Sequence, residues 1–223
     1  MADIKIGRMV IGTNQTNCYF LYREGSAEAV VVDPADKGAN IYSALQKNGF
    51  TVMGILLTHG HFDHIWGLDA LRDAVNAAAE SDGREPVPVY ASEGEREILK
   101  NPRMNISEQA GRACSTYADV YVKDGEELNL AGMSIKVIAT PGHTEGGCCY
   151  YVEEAGILVA GDTIFQESVG RTDFPTGSMS TLVRSVQDKL FILPDDTKVY
   201  PGHGDSTTIG HEKRYNPFCA IAD

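Results

Sequence analysis

Residues 58–64 read THGHFDH, and this short stretch decides the fold. Three of the six histidines in the 223-residue chain lie within it. Imidazole and carboxylate groups at this density are typical ligands of a divalent ion such as zinc. Since residues two apart point the same way on an extended chain, His59, His61 and Asp63 are predicted to share one side of an extended loop. His64 is then predicted to begin the turn into the next helix.

The residues around this stretch place it at the end of a strand. Residues 52–57 form a short apolar run, which is typical of a buried strand. After the ligand residues, Ile65, Leu68, Leu71 and Val75 recur at helical spacing. The candidate ligands are therefore predicted to lie at the carboxyl end of a buried strand, where open α/β folds carry their functional sites.

Three further ligand-type residues occupy the same kind of position later in the chain. His143, Asp162 and His203 each follow a strand-like run and are flanked by glycine or proline. Small or turn-forming neighbours allow backbone and side chain to approach a metal closely. A single histidine or aspartate of this kind more often has a structural role, so the prediction depends on the repeated position.

Together these positions supply seven donors, five histidines and two aspartates. One zinc ion takes about four ligands, so seven donors exceed the need of one ion. They suit two ions that share a carboxylate and leave a position open for water, an arrangement that recurs in hydrolases.

The rest of the chain alternates between strand-like and helix-like segments. Strands are predicted at 3–10, 17–23, 28–33, 133–139, 148–153, 156–160 and 197–200, and helices at 38–48 and 179–190. The polar segment 80–88 is predicted to be an exposed loop. Strand groups with helices outside each half favour one α/β (α+β) domain over residues 1–223, a four-layer αββα sandwich with the metals at the edge between two sheets.

Composition limits which partners the protein is expected to bind and in which cellular compartment it is expected to lie. The formal net charge of −12 argues against nucleic acid as a partner, because phosphate backbones require clustered basic residues. No apolar stretch of membrane-spanning length and no secretory signal are recognised. The five cysteines form no CxxC pair, which favours reduced thiols in a cytoplasmic protein.

With these motifs in hand, the chain resembles the metallo-β-lactamase-fold hydrolases, and within them the glyoxalase II-like (hydroxyacylglutathione hydrolase-like) branch. The resemblance extends from Asn17 to Phe218. The segments that carry it are 58–64, 140–144, 161–163, 170–174 and 201–204. It implies the metallo-β-lactamase fold and a hydrolase that acts on a small-molecule thioester.

The resemblance also assigns roles. The residues that match the first metal's ligands are His59, His61 and His143, those that match the second metal's ligands are Asp63, His64 and His203, and Asp162 matches the bridging carboxylate. The implied cofactor is a pair of divalent ions, zinc first, with iron or manganese as alternatives. The implied mechanism is attack by a metal-bridging hydroxide, which Asp63 orients as the catalytic residue while it also binds metal.

The substrate-binding positions match the family less completely than the metal ligands do. Arg171 matches a basic substrate-binding position of the family, whereas Asp173 stands where the family has a tyrosine. Arg171 is therefore either a substrate contact or an ion-pair partner of Asp173, and glutathione as the thiol stays open. No cysteine is present at the positions that match the second metal's ligands, and we take this as an argument against β-lactam hydrolysis.

Two alternatives remain at this stage. The first is a persulfide dioxygenase, a related branch in which one iron is held by residues matching His59, His143 and Asp162. The second is a non-catalytic metal-binding protein on the same fold. The remaining histidine, His211, is predicted to lie on a short helix after Thr208 and not to bind metal.

Overall fold

In the computed structural model, which describes residues 3–220, two mixed six-stranded sheets pack face to face. The first sheet has the strand order β1-β2-β3-β4-β5-β6. Its strands are β1 (Ile4–Ile11), β2 (Thr16–Arg23), β3 (Glu28–Val32), β4 (Thr51–Leu56), β5 (Val89–Ser92) and β6 (Val120–Val122). The pairs β1–β2 and β2–β3 are antiparallel, and the pairs from β3 to β6 are parallel.

The second sheet contains most of the remaining strands. Its first four are β7 (Glu127–Leu130), β8 (Met133–Ala139), β9 (Cys148–Val152) and β10 (Ile157–Gly161). A separate two-stranded ribbon follows, formed by β11 (Ile164–Phe165) and β12 (Ser168–Val169). β13 (Lys198–Pro201) and β14 (Thr207–Thr208) complete the sheet, whose order is β14-β13-β10-β9-β8-β7.

Helices cover the outer faces of both sheets. They are α1 (Gly38–Lys47), α2 (Phe62–Ile65), α3 (Leu68–Ser81), α4 (Arg96–Lys100), α5 (Met179–Ser185) and α6 (Ile209–Tyr215). Three buried apolar clusters separate the layers: one between α1, α3 and the first sheet, one between the sheets, and one between the second sheet, α5 and α6. The four-layer αββα prediction is therefore confirmed.

Most predicted elements are present, but some boundaries were wrong. The helix predicted at 179–190 is α5 followed by one π-helical turn over Val186–Leu190. The loop predicted at 80–88 begins two residues later, because α3 continues to Ser81. The helix expected from Ile65 is two helices, since the Gly67 amide leaves the helix to donate to the Ala35 carbonyl at 2.9 Å.

Parallel pairing brings the functional strand ends together. In the second sheet β10 and β13 run parallel, so Asp162 and His203, which follow them, emerge at the same edge. In the first sheet β3 and β4 run parallel, so Asp33 and the segment 57–61 emerge together. The edge between the two sheets thus collects residues from four strand ends, as the sequence predicted for the metal ligands.

Candidate metal centre

Three histidines form the first cluster, at the end of β4 and in the loop after β8. His59, His61 and His143 offer ring nitrogens that all lie within 4.8 Å of one another. Nδ1 of His61 lies 2.8 Å from Nε2 of His143. All three side chains are buried. This spacing and donor set fit one divalent ion.

The second cluster is formed by Asp63, His64 and His203, whose ligand atoms also lie within 4.8 Å of one another. Nε2 of His203 is 3.3 Å from Oδ2 of Asp63. The sequence placed Asp63 on an extended loop with His59 and His61, and this detail was wrong. Asp63 and His64 both belong to the single turn of α2, and this turn directs them to the second cluster while His59 and His61 stay in the first.

Asp162 lies between the two clusters. Its Oδ1 is 3.4 Å from Nε2 of His64, and its Oδ2 is 3.5 Å from Nε2 of His203 and 3.7 Å from Nε2 of His143. One carboxylate therefore faces ligands of both clusters, as a bridging residue must. Gly202 makes this approach possible, because a Cβ there would lie 2.1 Å from Oδ1 of Asp162.

Hydrogen bonds on the far side of the rings fix which nitrogen is free to bind metal. Nδ1 of His143 faces the Arg171 carbonyl at 2.7 Å, and Nδ1 of His203 faces the Asn14 carbonyl at 3.1 Å. A carbonyl can only accept, so in both rings Nδ1 carries the proton and the lone pair is on Nε2. Such outer contacts are the usual way in which proteins orient metal-binding histidines.

Asp33 does the same for two further rings. It is buried and accepts from the Thr58 amide at 2.8 Å and from the Thr58 hydroxyl at 2.6 Å. Its Oδ2 also accepts from Nδ1 of His64 at 2.9 Å. Because the Thr58 hydroxyl donates to Asp33, it accepts from Nδ1 of His59 at 3.1 Å. Nε2 of His59 and Nε2 of His64 are therefore the nitrogens left to bind metal.

Buried polar atoms without a hydrogen-bond partner indicate whether metal ions fit the two clusters. The cluster atoms that are buried without a hydrogen-bond partner are Nε2 of His59, His61 and His64, and Oδ1 of Asp162. Buried polar atoms are otherwise almost always paired. A group of imidazole nitrogens and carboxylate oxygens that lacks protein partners suits divalent cations.

The pKa values of most ligands favour the forms that bind metal. Burial lowers the pKa of His59 well below its ordinary value and that of His61 to about 3, so both rings are neutral near pH 7. Burial opposes ionisation of Asp162, but the neighbouring His64 outweighs it and lowers the pKa of Asp162 to about 2. Burial also opposes ionisation of Asp63, but its contacts with His203, His64 and Asn14 together outweigh burial and lower the pKa of Asp63.

His64 differs from the three rings of the first cluster. Burial lowers its pKa, but the carboxylates of Asp162 and Asp33 outweigh burial and raise the pKa well above its ordinary value. A proton on His64 therefore competes with a cation for Nε2. Metal binding at the second cluster is expected to release this proton and to weaken as the pH falls.

Two residues of this centre, Asp33 and Asn14, were missed by the sequence reasoning. Asp33 follows a buried valine run, residues 30–32, so the strand-end pattern that found Asp162 could have found it as well. Asn14 lies at the tip of the β1–β2 hairpin, where its side-chain amide donates to Oδ2 of Asp63 at 3.0 Å. Nothing in the local sequence of Asn14 indicated this contact.

A cavity of about 560 Å³ opens onto the two clusters. Its apolar wall consists of Phe62, Phe165, Val169 and Phe174. Arg171 lines the same cavity, and its Nε and Nη2 each donate to Asp173 at 2.7 Å. The guanidinium carbon lies 3.9 Å from the centre of the Phe174 ring. The structure therefore contains the ion pair that the sequence raised as an alternative, while Nη1 stays available to a ligand.

His211, the sixth histidine, lies away from the clusters, as expected. Its amide donates to the hydroxyl of Thr208 at 3.2 Å, which is the predicted cap of α6. Its Nε2 is 3.0 Å from Oε1 of Glu167. Within residues 3–220, no helix is long and apolar enough to cross a membrane.

Comparison with known proteins gives one family. The family model described as "Metallo-beta-lactamase superfamily" matches residues 11–203. The probable metallo-hydrolase YqgX of Bacillus subtilis is 35% identical over 96% of this chain and 97% of its own length. The hydroxyacylglutathione hydrolase GloC of Haemophilus influenzae is 33% identical over 92% of each chain.

Solved structures agree with this result. BLEG-1, described as a B3 metallo-β-lactamase, has a TM-score of 0.88 at 36% identity and covers 96% of this chain and 99% of its own. TTHA1623 in a di-iron-bound form has a TM-score of 0.81 at 30% identity, with 95% and 99% covered. ETHE1 from Myxococcus xanthus has a TM-score of 0.77 at 28% identity, with 97% and 84% covered.

Proposed function

Because this chain belongs to the metallo-β-lactamase superfamily, we propose that it is a dinuclear-metal-dependent thioester hydrolase of the glyoxalase II-like type. The observation that carries this proposal is the position of Asp162, whose two oxygens face ligands of both clusters. The similarity to GloC supports thioesters as the substrate class. A cytoplasmic setting, the absence of a nucleic-acid partner and Asp63 as the catalytic residue remain predictions.

The cofactors that the donor set fits are two divalent ions. When bound, they would act as Lewis acids toward water and toward the thioester carbonyl. Zinc is the first candidate for this nitrogen and oxygen donor set, and the di-iron form of a similar structure keeps iron as an alternative.

The chain's own residues then divide the remaining work. Asp63 faces the cavity, ionised, with its Oδ2 held by the Asn14 amide at 3.0 Å and the Thr16 hydroxyl at 3.4 Å. It can therefore orient a water molecule by accepting a hydrogen bond from it. The phenylalanine wall binds the apolar parts of the substrate and excludes bulk water from the reacting carbonyl. A thiolate leaves readily enough that no dedicated acid is needed.

A substrate panel with metal analysis tests this function. Purified protein is analysed for zinc, iron and manganese without supplementation. It is then assayed with hydroxyacylglutathione, acyl-coenzyme A and simple alkyl thioesters, with matched oxygen esters as controls. Hydrolysis of a thioester by the two-ion protein is the expected result. Two bound ions with no turnover of any thioester would overturn the proposal.

Two other activities belong in the same panel because specific similarities favour them. The similarity to ETHE1 lends some support to the mononuclear-iron dioxygenase, and oxygen consumption with glutathione persulfide would establish it. The similarity to BLEG-1 weakens the sequence argument from the missing cysteine, so a β-lactam is also included.

We propose that Arg171 binds an anionic part of the substrate through Nη1. Replacing it with alanine should raise KM for anionic thioesters about tenfold and change kcat little, as for loss of one charged contact made equally in ground and transition states. The melting temperature should change little, because exposed ion pairs contribute little to stability. Steady-state kinetics and thermal melting on one preparation measure both.

Asp173→Asn is the matched control for Arg171. It removes the carboxylate that competes for the guanidinium, so KM for an anionic thioester should fall or stay constant. If Arg171→Ala instead lowers the melting temperature clearly and leaves KM unchanged, Arg171 is a structural partner of Asp173 and not a substrate contact.

A further inference from the structure

Glu95 is a fully buried carboxylate that belongs to neither metal cluster. It ends the 3₁₀ turn Glu93–Glu95, directly before α4, and has no exposed surface. No basic side chain in the described part of the chain accounts for its burial. A buried carboxylate without a cation is costly, so its contacts should reveal what it does.

Those contacts join the two loops that carry the first cluster. Oε2 of Glu95 accepts from the Gly60 amide at 2.7 Å, and Oε1 accepts from the Thr144 hydroxyl. Gly60 lies between His59 and His61, and Thr144 follows His143. Each ligand of the first cluster is therefore the sequence neighbour of a residue that Glu95 holds.

The backbone around Glu95 is packed to allow this contact. A Cβ on Gly146 would lie 2.4 Å from the Glu95 nitrogen, and one on Gly60 would lie 2.9 Å from Oε2 of Glu95. Neither position has room for a side chain without a shift of the neighbouring loop. The turn that carries Glu95 therefore packs directly against both ligand loops, through its main chain as well as through the Glu95 side chain.

The charge balance at Glu95 is consistent with this role. Burial raises the pKa of its carboxyl to about 7, while the hydrogen bonds from Thr144 and Gly60 oppose that shift. Two donors, one aimed at each oxygen, favour an acceptor-only group with two oxygens. An apolar side chain of the same size would leave both donors unpaired.

We propose that Glu95 is a positioning residue that fixes His59, His61 and His143 in the geometry needed to hold the first metal ion. It acts through the two loops and touches neither the ion nor the substrate. This inference rests on the metal centre of the proposed function, but it does not depend on which substrate is hydrolysed. It therefore predicts a loss of metal affinity at one cluster and not at the other.

The test compares two single-ion proteins, and no substrate is needed. His203→Ala disables the second cluster, and His61→Ala disables the first. Glu95→Leu is added to each, and zinc affinity is measured by competition with a chelating dye, together with the melting temperature of the metal-free protein. Glu97→Leu, an exposed glutamate two residues away, is the matched control in both.

In the His203→Ala protein, Glu95→Leu should weaken zinc binding about 10- to 100-fold, the usual effect of losing an outer partner of a metal ligand. In the His61→Ala protein it should change zinc affinity less than about threefold. Glu95→Gln keeps an oxygen for Gly60 and should restore most of the affinity. Glu97→Leu should have no effect in either protein.

Two results would overturn this proposal while leaving the metal centre in place. An equal loss in both single-ion proteins, accompanied by a lower melting temperature of the metal-free form, would show a general structural role. Unchanged zinc affinity in the His203→Ala protein would show that Glu95 does not position the cluster. If Glu95→Leu does not fold, Thr144→Val removes one of the same contacts and is judged by the same comparison. No zinc binding by the His203→Ala protein itself would contradict the metal centre and this proposal with it.

Discussion

Asp162→Ala is expected to lose at least one bound metal ion and nearly all hydrolytic activity. Asp162 is the residue whose two oxygens face ligands of both clusters, so its removal deprives each ion of a ligand. Metal ions supply several kcal/mol of transition-state stabilisation, and about 1.4 kcal/mol corresponds to tenfold in rate. A fall of about 10³-fold or more in kcat/KM is therefore expected. Elemental analysis and thioester kinetics on the same sample measure the two effects.

Asp205→Ala is the matched control for this change. Asp205 is an exposed aspartate near His203 that pairs with Arg8, outside the clusters. It should keep both ions and the activity of the unchanged protein. If Asp162→Ala retained two ions and full turnover, the bridging assignment would be wrong, and the two clusters would have to function without a shared ligand.

The ligand set was predictable because its members repeat one local pattern. His59, Asp162 and His203 each follow a buried apolar run, and parallel pairing of β10 with β13 brings two of these strand ends to one edge. The layers were predictable for a similar reason, since apolar periodicity marks which face of each strand and helix is buried. A local sequence pattern was therefore enough to predict the residues whose position is set by the strand or helix that carries them.

Two residues that support the ligands or their loops were not predictable in this way. Glu95 and Asn14 act through contacts with residues 35 and 49 positions away. Only the folded chain shows that these positions are close. The strands β5, β6 and β7 were missed because each has only three or four residues, too few to show a period. In α2, one helical turn replaced the expected extended chain, so Asp63 serves the second cluster.

Asp33→Asn is expected to weaken the second metal site while the fold is retained. The Thr58 amide can only donate, so the side-chain oxygen of the introduced asparagine must face it. The new NH₂ group then faces the Thr58 hydroxyl and Nδ1 of His64. Nδ1 of His64 must then accept, which moves its proton to Nε2. Nε2 is the nitrogen that faces Asp162, so the lone pair for the metal is lost.

The expected size of the effect follows from the loss of an outer partner, about 10- to 100-fold in affinity for the second ion. The free energy of unfolding should fall by about 1–3 kcal/mol, because one buried hydrogen bond is mismatched. Zinc titration measures the affinity, and nitrogen NMR of the imidazoles shows which His64 nitrogen carries the proton.

Alanine at the same position separates tautomer control from backbone strain. Asp33 has φ 51°, a left-handed conformation that asparagine tolerates and that costs alanine about 1–2 kcal/mol. Asp33→Ala should therefore be the less stable variant, yet it puts no donor opposite His64. If Asp33→Asn loses the second ion more completely than Asp33→Ala does, the tautomer of His64 is the cause. Backbone strain and the cavity left by the shorter side chain would both weaken metal binding more in the alanine variant. If Asp33→Asn binds two ions with unchanged affinity, Asp33 does not set the proton position on His64, and the orienting role assigned to it is wrong.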